Sequence, residues 1–183
     1  MFNSLFDGAP VDIMQMLDAR ERRAHTQQQL LEQLNPCVLV SITLNIPGPV
    51  KNSEAITTVF ASVISELDEA LVPFEKLHQE DFSLPTGMEF YRVLRADALS
   101  VKRACTEFEE GHSLGRLLDI DVVEMAGETP SPISRTALGM PPRRCFICNE
   151  EAKVCARSRR HTVLEMQEHI ARIIAIYTST QRP

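Results

Sequence analysis

Asp119 and Asp121 stand two residues apart in the apolar run "LLDIDVV". In a strand, side chains at i and i+2 share a face. Leu118, Ile120 and Val122 would then turn one way and both carboxylates the other. Like charges side by side are unfavourable unless a cation, a basic partner or water relieves them. Magnesium takes one or two carboxylates together with substrate phosphates. In nucleotidyl transfer it neutralises charge as pyrophosphate departs. The plain alternative is the wet face of a half-buried strand, and alternation alone divides the two readings evenly. Arg116 precedes the pair and supplies a basic approach to it. His112, just upstream, could act as a base or be an ordinary loop histidine.

A second group lies in "CFICNEEAKVCARSRRH". Cys145-x2-Cys148-x6-Cys155-x5-His161 supplies four soft ligands, the number tetrahedral zinc requires. Free thiols are the competing reading. Arg143, Arg144, Arg157, Arg159 and Arg160 surround the cysteines and could lower thiol pKa values or serve an anion. A third group is "NIPGPVKNS", where Gly48 and Lys51 precede a capped helix. A glycine lets a ligand approach the backbone, and a helix start offers free N–H groups. The alternative is a stiff strand-to-helix turn with an exposed lysine.

The elements that must position these groups follow from periodicity. A first helix is expected over "VDIMQMLDARERRAHTQQQLLEQL", with Ile13, Leu17, Ala24, Leu31 and Leu34 near one face. The clearest helix is "SEAITTVFASVISELDEAL", capped by Ser53 and striped with Ile56, Val59, Phe60, Val63, Ile64, Leu67 and Leu71. "DALSVKRACTEFEEG" fits a helix through Ala98, Val101, Cys105 and Phe108. The last helix begins at Thr162 with Glu165 in a capping box. Strands are expected at Val38 to Ile46, at Phe74 to Glu80 and Met88 to Leu94 around "LPTG", and at Leu118 to Met125. Pro132 to Thr136 would return as a short edge strand. The pattern predicts an α+β fold with a mixed sheet packed by helices. One domain over residues 1–183 is expected, with a small Cys/His segment at 141–161.

The chain has 183 residues and a formal net charge of −6, which argues against nucleic acid or an anionic membrane as the main partner. "MFNSLFDGAP" shows no basic region leading into an apolar core, so no signal peptide is expected. Five cysteines without such a signal suit a reducing cytoplasm, with Cys37 and Cys105 as core residues.

"LDARERR", "VSITLNIPGPVKNS", "HSLGRLLDIDV", "PPRRCFIC" and "VCAR" followed by His161 occur in this order. Together they resemble the citrate lyase holo-[acyl-carrier protein] synthases, the apo-citrate lyase phosphoribosyl-dephospho-CoA transferases. The resemblance implies transfer of 2'-(5''-triphosphoribosyl)-3'-dephospho-CoA to a serine of the apo acyl-carrier (gamma) subunit of citrate lyase. Pyrophosphate leaves and a phosphodiester remains. Such a reaction needs groups that hold a triphosphate, neutralise the leaving group and activate a hydroxyl. Arg20, Arg23, Lys51, Gly48, Arg116, Arg143 and Arg144 are the candidate substrate-binding residues, because arginine forks match phosphate oxygens. Asp119 and Asp121 are the candidate magnesium ligands, and either of them or His112 the candidate base. The chain departs from the wider nucleotidyl-transferase signature, which sets Gly-Ser well upstream of Asp-x-Asp. Here Gly115-Arg116 stands almost beside Asp119. Two alternatives stay open: the same transfer to the malonate decarboxylase acyl carrier, and a zinc-stabilised adaptor without catalysis.

Overall fold

The computed structural model describes residues 5–148 and 150–181. Its centre is a five-stranded sheet built from β1 (Val38–Leu44), β2 (Glu75–Leu84), β3 (Gly87–Arg95), β4 (Leu118–Ala126) and β5 (Thr129–Pro132). The helices are α1 (Ile13–Leu34), α2 (Glu54–Ala70), α3 (Ala98–Gly111), α4 (Ala152–Arg157) and α5 (Val163–Thr180). The fold is α+β, as the sequence predicts.

The sheet runs β2-β3-β1-β4-β5, and every neighbouring pair is antiparallel. This corrects the expected mixed sheet. Helices α2 and α3 each carry the chain to a strand parallel to the one before, but never to its neighbour. Strand β3 inserts between β1 and β2, and β1 between β3 and β4. The order β1-α2-β2-β3-α3-β4 is thus a split βαβ arrangement. The edge strand is Thr129–Pro132, earlier than expected, and Arg135–Leu138 forms a 3-10 turn instead. The hairpin strands β2 and β3 extend to Leu84 and Gly87, leaving Pro85 and Thr86 as the turn.

Alternation along β1 and β4 divides the molecule into two layers. Val38, Val40, Ile42, Leu118, Ile120 and Val122 join Ile56, Phe60, Val101, Cys105 and Ile170 in the main core. Leu39, Val93 and Val123 face the other way, against Leu30 and Leu31 of α1. Ser53 caps α2 by accepting from the Ile56 N–H, and Thr162 with Glu165 closes the expected capping box on α5.

Helix α1 departs from its expected stripe. It starts at an Asp12–Gln15 capping box, and its buried residues are Ala19, Leu30 and Leu31. Ile13, Leu17 and Ala24 are exposed. The cause lies in the sheet beneath. The half under the N-terminal part of α1 carries Ser41, Thr43, Glu89, Asp119 and Asp121, so polar residues of α1 meet it. Gln27 donates to the Ser41 hydroxyl at 2.9 Å, and Arg22 donates to Glu89 at 2.8 Å.

Candidate active site

Cross-strand register builds the site. Thr43 pairs with Glu89 on one side and Asp119 on the other, and Ser41 pairs with Tyr91 and Asp121. Two polar rows therefore cross the α1 face of the sheet. Asp119 and Asp121 lie on the same side, away from Leu118, Ile120 and Val122, as their spacing predicts. The Asp119 side chain is 54% exposed, so a ligand can reach it. Protein crowded around its remaining sides holds its carboxyl above the ordinary aspartate range, and Asp121 adds to the rise; Lys102 and Arg23 oppose it.

Glu89 was not evident from the sequence, yet it organises this face. Its side chain is 3% exposed. It accepts from Arg22, from Arg23 at 3.3 Å and from the Tyr91 hydroxyl at 3.0 Å. Burial, together with Glu89, raises the Tyr91 phenol far above its usual range, so Tyr91 remains a donor. Arg23 is thereby pinned between Glu89 and the field of Asp119. Residues two apart on a helix differ by about 200° around the axis. Arg22 turns toward β3, and Arg20 lies exposed on a different side of α1.

Arg143 closes the other side. It donates to Asp119 at 3.0 Å and also to Glu109, which is buried on α3. Arg135 donates to Glu110 and lies 4.0 Å from Glu109. Arg116 donates to the Arg144 carbonyl, so it braces the segment that carries Arg143. Arg144 itself pairs through its backbone with Glu151. Gly115 makes the approach possible. A Cβ there would lie 2.7 Å from the Glu109 carbonyl oxygen and 2.8 Å from that of Phe108.

Three sequence candidates serve other places. Lys51 donates to the Ile46 carbonyl at 2.7 Å, and burial lowers its pKa. Gly48 has φ +91°, and a Cβ there would meet Gln167 Nε2 at 2.8 Å. This glycine admits α5 rather than a ligand, and Gln167 bonds the neighbouring Pro47 carbonyl. His112 accepts from the Leu114 N–H and stacks on Phe108, with Glu66 and Tyr177 around it. It sits among the helices of the main core, whereas the aspartates project from the opposite face.

The Cys/His group does converge. Cys145, Cys148, Cys155 and His161 place their ligand atoms within 4.8 Å of one another, so this cluster could hold a metal ion such as zinc. Cys155 donates to Cys145 at 3.5 Å, and the Cys148 and Cys155 sulfurs lie 3.8 Å apart. Burial works against ionising Cys145, but main-chain N–H groups of Cys148 and Ile147 outweigh it and lower that thiol. Burial and the neighbouring sulfurs push Cys155 up to about 12. His161 Nε2 is buried without a hydrogen-bond partner. A dication would let the remaining thiols ionise and would satisfy that nitrogen.

No helix among the described residues is long and apolar enough to cross a membrane. The family model for apo-citrate lyase phosphoribosyl-dephospho-CoA transferase matches residues 11–177. A Streptococcus pyogenes serotype M18 protein with that name, qualified as probable, is 40% identical over 172 residues, covering 94% of this chain and 90% of its own. A Shigella boydii serotype 18 protein of the same name is 35% identical, over 85% of this chain and 84% of its own. "Protein CitXG" of Leuconostoc mesenteroides is 34% identical over 91% of this chain, which spans 36% of that longer protein. With matches of this extent, the chain belongs to the apo-citrate lyase phosphoribosyl-dephospho-CoA transferase family.

Proposed function

We propose that this chain transfers the phosphoribosyl-dephospho-CoA group to apo-citrate lyase at the α1 face of its sheet, around Asp119 and Asp121. The family supplies the reaction. The observation that carries the location is Asp119, open to solvent and flanked by Arg143 at 3.0 Å and the field of Arg23. A triphosphate needs positive charge, which an acidic chain must gather locally. Arg23 and Arg143 converge on this face from opposite sides, Arg20 is exposed on α1 one turn before Arg23, and Arg116 and Arg144 hold the Arg143 segment. These residues bind and orient the phosphates.

A serine Oγ of the acyl-carrier subunit attacks the phosphorus that joins the precursor to its terminal pyrophosphate. The new P–O bond forms, the bond to pyrophosphate breaks, and the hydroxyl proton passes to a carboxylate. Asp119 is placed for that role, because its side chain is open to solvent on the face where the phosphates would bind. Magnesium fits the donors: two same-side carboxylates reachable from solvent, one of them raised by the other. When bound, it would neutralise charge on the departing pyrophosphate. Zinc in the Cys145, Cys148, Cys155 and His161 cluster is structural in this scheme. Free thiols throughout the described chain suit a cytoplasmic setting.

The test is to incubate the protein with triphosphoribosyl-dephospho-CoA, magnesium and purified apo-carrier, then weigh the intact carrier. A mass gain equal to the precursor less pyrophosphate is expected. An unchanged carrier rejects the transferase assignment. Running the malonate decarboxylase carrier in parallel reads acceptor choice.

A further inference from the structure

Lys102 is a buried cation that the sites described so far leave unexplained. It lies in α3, and the residue is only 4% exposed. Lys102, Thr106 and Glu109 are all buried, at helical spacing i, i+4 and i+7. This polar stripe runs beside the apolar one of Val101 and Cys105. Buried charges are ordinarily paired, because removing them from water is costly. Lys102 makes no ion pair among the described residues. Its Nζ donates to one acceptor, the Ile120 carbonyl, at 3.1 Å.

Ile120 is the residue between the two aspartates. Strand β5 pairs with β4 from Val123 onward and the Ile133 N–H donates to the Val122 carbonyl, so the edge one carbonyl further on, at Ile120, is left to the lysine. The ammonium therefore reaches, from the helical layer, the segment whose side chains form the site on the opposite face. Burial lowers the Lys102 pKa, Asp121 across that edge favours its charged form, and Lys102 in turn opposes the rise in Asp119. Arg135 and Arg143 bear on Lys102 as like charges, and Cys105 lies close on its own helix. Lys102 is too enclosed to touch a substrate.

We propose that Lys102 is a positioning residue of the transfer site, anchoring the Asp119–Ile120–Asp121 segment and supplying a fixed positive charge behind the paired carboxylates. Two aspartates side by side repel each other, and a charge held at their backbone reduces that repulsion without occupying the ligand face. The same charge adds positive potential where pyrophosphate departs. The proposal rests on the assignment of the aspartate face as the transfer site.

Lys102→Met keeps the unbranched stem of the side chain and removes the ammonium, and Lys102→Arg keeps the charge. Three measurements separate the possibilities: thermal stability, Mn2+ affinity by titration, and transfer to the carrier. A fixed cation repels a dication bound nearby. Lys102→Met should therefore bind Mn2+ several-fold more tightly, and its Tm should stay close to that of the unmodified protein, because relief of a buried charge offsets the lost hydrogen bond. It should nevertheless transfer on the order of tenfold more slowly, in kcat rather than in the carrier's KM. Lys102→Arg should recover most of the rate. Unchanged Mn2+ affinity and rate in Lys102→Met overturn the proposal. So does joint loss of Tm, Mn2+ affinity and rate, which is the mark of a packing role. Unmodified protein that binds no Mn2+ also overturns it, because the aspartates would then hold no cation. If the unmodified protein binds Mn2+ but modifies no carrier, the transferase assignment fails instead, and the Mn2+ shift still tests the charge.

Discussion

Asp119 and Asp121 share a face because strand geometry leaves no other arrangement, yet their neighbours decide their chemistry. Arg143 and Arg23 bring positive charge to Asp119, while Asp121 and surrounding protein raise its pKa. Asp119→Asn or Asp121→Asn keeps the shape and removes one charge. Transfer should fall by about 10²–10³-fold, the scale of losing a group that stabilises transition-state charge. Stability should change by less than about 1 kcal/mol, since these side chains are open to water and like-charge repulsion is relieved. Carrier mass after timed incubation reads the first effect, and thermal unfolding the second. Normal transfer rates in both variants would remove the aspartates from the mechanism.

At the scale of elements, the segment after the 3-10 turn at Arg135–Leu138 links the Cys/His cluster to the site. Arg143 and Arg144 directly precede Cys145, and the Ala152 N–H donates to the Arg143 carbonyl. Cys145 in turn donates its N–H to the Glu150 carbonyl at 2.8 Å. Ligands on both limbs of this fold-back would be joined by one ion. Protein prepared without chelator should carry about one zinc per chain. Removing it should raise hydrogen exchange over residues 143–161 while β1, β3 and β4 stay protected. Transfer should fall as well, because Arg143 loses its support. Metal analysis that finds no zinc would return the three cysteines to a packing role.

At the scale of the molecule, the acidic chain concentrates cations from distant elements around the β4 aspartates, on the ligand face and behind it. Arg23 comes from α1, Arg143 from the segment after β5, and Lys102 from the helical layer behind. Charge-assisted contacts to a phosphate contribute on the order of 1.5–3 kcal/mol each. Arg143→Ala should therefore weaken precursor binding by roughly ten- to a hundredfold. Carrier binding should change much less, because a protein docks over a wider surface. Titrating both ligands against the variant decides the matter. Equal losses for the two would make Arg143 a structural brace rather than a phosphate ligand.

The sequence by itself determined the α+β class, the cores of α2 and α3, the capped start of α5, the facing of Asp119 and Asp121, and the grouping of Cys145, Cys148, Cys155 and His161. These depend on short-range periods and spacings, which survive without knowledge of what packs above them. Ordered sequence blocks also carried the family. The tertiary structure decided what lies across from each element. Helix α1 turned its Ile13 and Leu17 outward because the sheet beneath that end is polar, a property set by register among β1, β3 and β4. Lys51 and Gly48, plausible phosphate binders by local pattern, were taken by the Ile46 carbonyl and by Gln167 of α5. His112 was drawn into the helical layer by Phe108 and Tyr177. Glu89, Glu109 and Lys102 looked like ordinary charged positions of a strand and a helix. The polar stripe at Lys102, Thr106 and Glu109 reads locally as a solvated helix face, yet it is buried. Its meaning depended on the Ile120 carbonyl, eighteen residues downstream of Lys102 and brought to it by the packing of α3 on β4.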